Sequence, residues 1–122
     1  MNISLDLPGV TYFVKRYEPG IVWLSTHETF TSSILLTPES CTLWPVQVFE
    51  DLTPDALKQL LNLESDVILL GTGLQQKFLP PTLLQLLTHH QKTIEVMNSK
   101  AACRTYNLLA SEGRQAVLGL VV

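Results

Sequence analysis

The sequence is short of most features that announce a chemistry. Of its 122 residues only two are cysteines, Cys41 and Cys103, far apart and outside any Cys-x-x-Cys or other zinc spacing. That excludes a disulfide scaffold and a structural zinc site, and it makes a reducing compartment, the cytoplasm, the expected location. Charge is scarce as well: 8 Lys and Arg against 11 Asp and Glu leave a formal charge of −3. Nucleic-acid-binding domains cluster Lys and Arg and usually have a pI above about 9. Here the pI is about 5.5, so general nucleic-acid binding is excluded. The longest apolar run, Ala116 to Val122, falls well short of the roughly 20 residues that span a membrane. Met1 to Asp6 show no basic segment leading into an apolar one, so neither a secretion signal nor membrane insertion is expected. There is no Gly-Lys-Ser/Thr phosphate loop, no Gly-x-Ser-x-Gly elbow and no His-Glu-x-x-His.

What the chain does have is apolar mass. Hydrophobic residues make up 46% of it, enough to exclude disorder and to bury a core without staples. Residues 1–122 therefore read as a single domain in two parts. In residues 1–50, Tyr12–Tyr17 and Ile21–Thr26 are rich in aromatic and β-branched residues, and Glu18-Pro19-Gly20 between them supplies a turn, so a hairpin is predicted. Thr31–Thr37 and Thr42–Val48 repeat the strand signal, with Pro38 and Pro45 marking strand ends or an edge.

Residues 51–122 alternate helix and strand. Thr53-Pro54-Asp55 carries a capping hydroxyl, a proline suited to the first turn and an acid at the positive end of the macrodipole. Leu57, Leu60 and Leu61 form the apolar stripe of that helix. Asp66–Leu70 is a continuous apolar run ending at Gly71, as expected of a strand covered on both faces. After a loop to Leu79, Pro80-Pro81 opens a second helix, and Thr93–Met97 reads as a second buried strand. Asn98 or Ser99 caps a third helix running to about Glu112, and Ala116–Val122 is the last strand. Such alternation places helices against the faces of a sheet.

Candidate chemistry lies in two places. Gly71-Thr72-Gly73 follows a buried strand, where open α/β sheets commonly bind ligands. The dinucleotide fingerprint would need a third glycine where Gln76 stands, so two readings stay open: a sharp strand exit, or a pocket for a small ligand or anion. On the third helix, Lys100, Arg104, Asn107, Ser111 and Arg114 follow at steps of four and three and share one positively charged face. That face is either a solvated stripe or a rim for an acidic ligand or partner, with Arg104 able to bind a carboxylate or phosphate through two bonds. Ala102, Tyr106 and Leu109, with Ala101, Thr105 and Leu108 beside them, are left to meet the sheet.

The remaining reactive residue types are read as structural. Cys103 neighbours Arg104 but has no assignable base, and it reads as a small buried hydrophobe. His89-His90 point about 100° apart on a helix, which is wrong for a metal pair, and suit the helix C-terminus instead. His27 has no recognisable partner, and Trp23 and Trp44 read as packing residues because no basic cluster accompanies them.

Two stretches carry a resemblance to a known family. Leu69-Leu70-Gly71-Thr72-Gly73 with Pro80 beyond it, and Glu95–Leu109 with its Ala-Ala-Cys-Arg-Thr-Tyr-Asn string, followed by Glu112-Gly113-Arg114, resemble the Mth (nine-three-eight)-like domain of unknown function. That family includes a mitochondrial assembly factor for respiratory complex I. The resemblance is strong from Asp66 onward and only a matter of pattern before it. Where many relatives have Asp-Thr after the methionine, this chain has Asn98-Ser99 after Met97. The resemblance implies an α/β fold of three layers, in which a central mixed sheet lies between helices on one side and a further β/α layer, including the N-terminal β part, on the other. It also implies a last strand running antiparallel, where the alternation alone gives parallel.

The reading of the whole is a non-enzymatic binding or assembly module that uses Gly71, Thr72 and Gly73 with Lys100, Arg104 and Asn107 to hold a protein partner or a small acidic ligand. The alternative is a small enzyme or metabolite-binding protein with an anion pocket between the Gly71–Gly73 loop and Arg104. No catalytic residue, cofactor or metal ligand is assigned in either case.

Overall fold

The computed structural model describes residues 10–122, so Met1–Asp6 lie outside the described residues. A three-stranded antiparallel sheet comes first: β1 (Val14–Glu18), β2 (Ile21–Leu24) and β3 (Thr29–Phe30), in that order. Gly20 turns the predicted hairpin at φ +90, a conformation that glycine adopts without steric cost.

The central sheet has five strands in the order β5-β4-β8-β6-β7: β4 (Ile34–Leu36), β5 (Cys41–Leu43), β6 (Val67–Gly71), β7 (Glu95–Met97) and β8 (Ala116–Leu120). The N-terminal half therefore supplies more than a separate β layer, because β4 and β5 join the central sheet and make it mixed. β8 is antiparallel to β4 but parallel to β6. This corrects the antiparallel last strand that the resemblance implied: a helix intervenes before β7 and again before β8, returning the chain to the same end of the sheet each time. β7 is a partly exposed edge strand, not the buried one expected, because among the described residues only β6 pairs with it.

Three helices complete the layers: α1 (Pro54–Leu61), α2 (Pro81–His89) and α3 (Ser99–Ser111). The Thr53 hydroxyl accepts from the Ala56 N–H at 3.1 Å, and the Asn98 carboxamide accepts from the Ala101 N–H at 2.8 Å. Both caps are as predicted, each worth about 1 kcal/mol. From β6 the chain steps outward to β7 and then back across β6 to β8, so crossovers of one hand put α2 and α3 on opposite faces. Strand alternation divides the core accordingly. Leu35, Ile68, Leu70 and Val117 face α1 and α2, whereas Ile34, Leu36, Leu69 and Leu118 face α3 and the N-terminal sheet.

The outer β/α layer is tied together by side chains. The Tyr106 hydroxyl donates to the Tyr12 carbonyl at 2.8 Å, and the Asn107 carboxamide takes both backbone groups of Val14, accepting at 2.9 Å and donating at 2.7 Å. Among the described residues no helix is long and apolar enough to cross a membrane.

Candidate functional site

The carboxyl ends of β6 and β8 meet the start of α3, and the Gly71–Gly73 exit is what lets them meet. A Cβ on Gly71 would lie 3.0 Å from Leu120 Cδ1 and from both Cα and Oγ of Ser99, so a side chain there would push α3 off the sheet. Gly73 has φ +103. Its N–H donates to Ser99 Oγ at 2.8 Å and its carbonyl accepts from the Ser99 N–H at 2.8 Å. The Ser99 hydroxyl in turn donates to the Val121 carbonyl. Thr72 is buried, and its hydroxyl donates to the Gln75 carbonyl at 2.6 Å while accepting from the Lys77 N–H at 3.2 Å. The Thr72 hydroxyl and the Gly73 N–H and carbonyl are thus engaged within the fold.

Beside this element lies an open cavity of about 350 Å³, between the 47–50 segment, the loop from Thr72 to Lys77, and Val121–Val122. It occupies the crevice at the carboxyl ends of parallel strands, where α/β sheets place their ligands. Among the described residues Lys77 is the one basic residue lining it, and its ammonium meets Glu50 at 2.6 Å. That hydrogen bond holds the Glu50 carboxyl below its ordinary range. Exposed apolar side chains share the rim with Gln47, Glu50 and Gln75: Val48 is 52% exposed and Leu74 73%, and Phe78, next to Lys77 in the chain, is 84% exposed.

Lys100 and Arg104 are exposed on the outer side of α3, but neither lines this cavity. Asn107 differs from the expected polar face, being 4% exposed and bound to Val14. Leu108, expected to meet the sheet, is 60% exposed. Lys100, Arg104 and Ser111 are exposed as expected, so only Asn107 and Leu108 exchange places, because a polar side chain found its partners inside the layer. Trp44 is a packing residue as expected, with its indole N–H donating to the Ala56 carbonyl at 2.9 Å. Val48, Leu74 and Phe78 were missed. For Leu74 and Phe78 the available signal was a set of apolar residues in a short loop bounded by Gly73 and Pro80, too constrained to turn all of them inward.

Cys103 is buried as expected, and burial pushes its thiol up to about 12; Cys41, half-buried, is pushed up to about 11. At pH 8 a thiol with a pKa near 12 is thiolate in roughly one molecule in ten thousand. Native protein treated with a thiol-reactive disulfide reagent at pH 8 is expected to react slowly at Cys41 and to label Cys103 only after unfolding. Rapid native labelling of Cys103 would show that the α3 packing opens.

Fold and site together define a small three-layer α/β domain with an open cavity of mixed polar and apolar lining at the carboxyl end of its central sheet. The chain belongs to the family of proteins of unknown function DUF498/DUF598, whose model matches residues 14–121. The expected Mth-type fold is borne out. A solved structure of a Bordetella pertussis protein described as a Mth938-like domain is similar at a TM-score of 0.76 and 29% identity, over 98% of this chain and 91% of that one. A Bordetella parapertussis structure reaches a TM-score of 0.82 at 34% identity, covering 93% of this chain and 97% of the other.

Among curated relatives, NADH dehydrogenase [ubiquinone] 1 alpha subcomplex assembly factor 3 of Drosophila melanogaster is 28% identical over 98% of this chain. The chain spans 60% of that fly protein's length. A Francisella tularensis protein named 13 kDa major membrane protein is 36% identical, with 93% of this chain and 94% of that protein covered.

Proposed function

We propose that this protein is a non-enzymatic binding or assembly module that holds a protein partner at the carboxyl end of its central sheet. The observation that carries the reading is the exposed apolar pair Val48 and Leu74 lining the cavity, with the exposed Phe78 following Lys77 in the same loop, beside a Gly-Thr-Gly exit whose Thr72 hydroxyl and Gly73 backbone are already bonded. Apolar and aromatic anchors beside a recess are what protein interfaces use as hot spots. Similarity to an assembly factor supports the same reading. A small-anion pocket at this place is less well supported, because among the described residues Lys77 alone brings a basic side chain to the cavity and Arg104 does not line it. The exposed Lys100 and Arg104 belong to the proposal as a second, charged patch that orients an acidic partner, and the proposed setting is the cytoplasm.

The test is quantitative capture from the native cell with tagged protein at native abundance. Leu74→Ser and Phe78→Ser are expected to weaken the captured complex about 30-fold, the loss of a 2 kcal/mol hot spot. Folding stability should hold within about 0.5 kcal/mol, as for most surface changes. Capture that ignores both loop variants and depends on Arg104→Ala would move the partner to the α3 face.

A further inference from the structure

A second recess, of about 270 Å³, lies on the N-terminal sheet and is lined by Lys15, Arg16, Trp23, Leu24 and His27. Three of these five residues are basic and none is acidic, on a chain whose formal charge is −3. Two departures from regular backbone bring them together. The β1–β2 register slips between Val14 and Arg16, leaving Lys15 as the extra residue of a β-bulge. In a regular strand Lys15 and Arg16 would point to opposite faces; here both are exposed and line one recess.

His27 holds φ +72 in the turn between β2 and β3, where its N–H donates to the Leu24 carbonyl at 3.0 Å. Glycine would adopt that conformation with less strain. Strained positions of this kind cluster at ligand sites. Trp23, the cross-strand partner of Arg16, has the guanidinium 5.1 Å from its ring centroid, which orients the fork before any ligand arrives. Arg16 also meets Glu18 at 2.6 Å, with both side chains about half exposed, so a stronger anion can displace that pair. The reading of Trp23 as lacking a basic cluster is corrected here: the cluster is assembled across the hairpin rather than along the sequence.

We propose that this recess binds a phosphate ester, with Lys15, Arg16 and His27 surrounding the phosphoryl oxygens and the Trp23 indole contacting the organic group. A planar carboxylate is satisfied by the arginine fork alone, whereas donors from a bulge, a strand and a turn suit a tetrahedral anion. The phosphate is carried by a soluble metabolite or by a lipid headgroup, and the test separates the two.

The full chain, labelled with nitrogen-15, is titrated separately with inorganic phosphate, adenosine monophosphate, sodium glutamate and phosphatidylcholine vesicles containing phosphatidic acid. Saturable shifts at Lys15, Arg16, His27 and the Trp23 indole with the soluble phosphates mark a metabolite source. The same residues responding only to the phosphatidic acid vesicles mark a lipid source. In either case Arg16→Gln and His27→Gly are expected to weaken binding at least about tenfold. His27→Gly also separates binding from folding: if the imidazole served only the turn, glycine would preserve both the melting temperature and the response. No saturable response by roughly 10 mM phosphate, ten times the Kd of a weak site, together with none to the vesicles, overturns the proposal. An equal response to glutamate, or binding unchanged in both variants, does so as well.

Discussion

Asn107→Ala is expected to cost about 2–6 kcal/mol, because it strips the partner from two buried backbone groups at once and each unsatisfied group costs about 1–3 kcal/mol. Val14 sits on β1, the outer strand of the N-terminal sheet, and both its N–H and its C=O go to the Asn107 carboxamide, at 2.9 and 2.7 Å. One side chain thus does for the strand edge what a neighbouring strand would do, and it blunts an edge that would otherwise be open to pairing. Asn107→Asp is the sharper variant. It keeps an acceptor for the Val14 N–H but sets a carboxylate oxygen against the Val14 carbonyl, at a position 4% exposed. Chemical denaturation measures both losses, and amide hydrogen exchange at Val14 should accelerate with them. A loss below about 0.5 kcal/mol for Asn107→Ala, typical of an ordinary surface site, would mean that the clasp does not hold the layer.

The same residue marks the boundary of what the sequence could reveal. Elements set by neighbours in the chain were legible: the Pro19-Gly20 hairpin, the Thr53 cap with Pro54 behind it, the Asn98 cap, and β6 ending at Gly71. Each is decided by interactions within about four residues. Asn107 has its partner 93 residues away, so polarity alone placed it on the wrong face of α3. The membership of β4 and β5 in the central sheet was hidden for the same reason, since long-range pairing leaves little local trace, whereas the alternation of strand and helix did give β8 its direction parallel to β6.

The candidate site divides along the same line. Gly71–Gly73 was located correctly at a sheet end, because a continuous apolar run followed by glycine is a local signal. The contents of the site were not, because the cavity is closed by residues 47–50 from the other half of the chain. The recess at Lys15, Arg16, Trp23 and His27 depends on a one-residue register slip that no composition rule registers. What joins these cases is that the exposed side chains around the two recesses come from separate segments, whereas the continuous Gly71–Gly73 string is engaged largely within the fold.

Gly119→Val is expected to destabilise the protein by about 3 kcal/mol, at the upper end of overpacking costs, even though valine is the better strand former. A Cβ at this position would lie 2.9 Å from both Cη2 and Cζ3 of Trp44 and 3.0 Å from Leu60 Cδ2. The indole has nowhere to swing: it is 3% exposed, and its N–H is bound to the Ala56 carbonyl on α1 at 2.9 Å. β8 also lies between β4 and β6, so the backbone of Gly119 is held from both sides and cannot give way. The sign of the effect decides the matter, since strand propensity alone predicts stabilisation and close packing of Trp44 predicts loss. Combining Gly119→Val with Trp44→Leu opens space for the added methyls, and the double variant should be more stable than the sum of the single losses by about 0.5–3 kcal/mol. Strict additivity in that cycle would show that the indole is not what keeps position 119 a glycine.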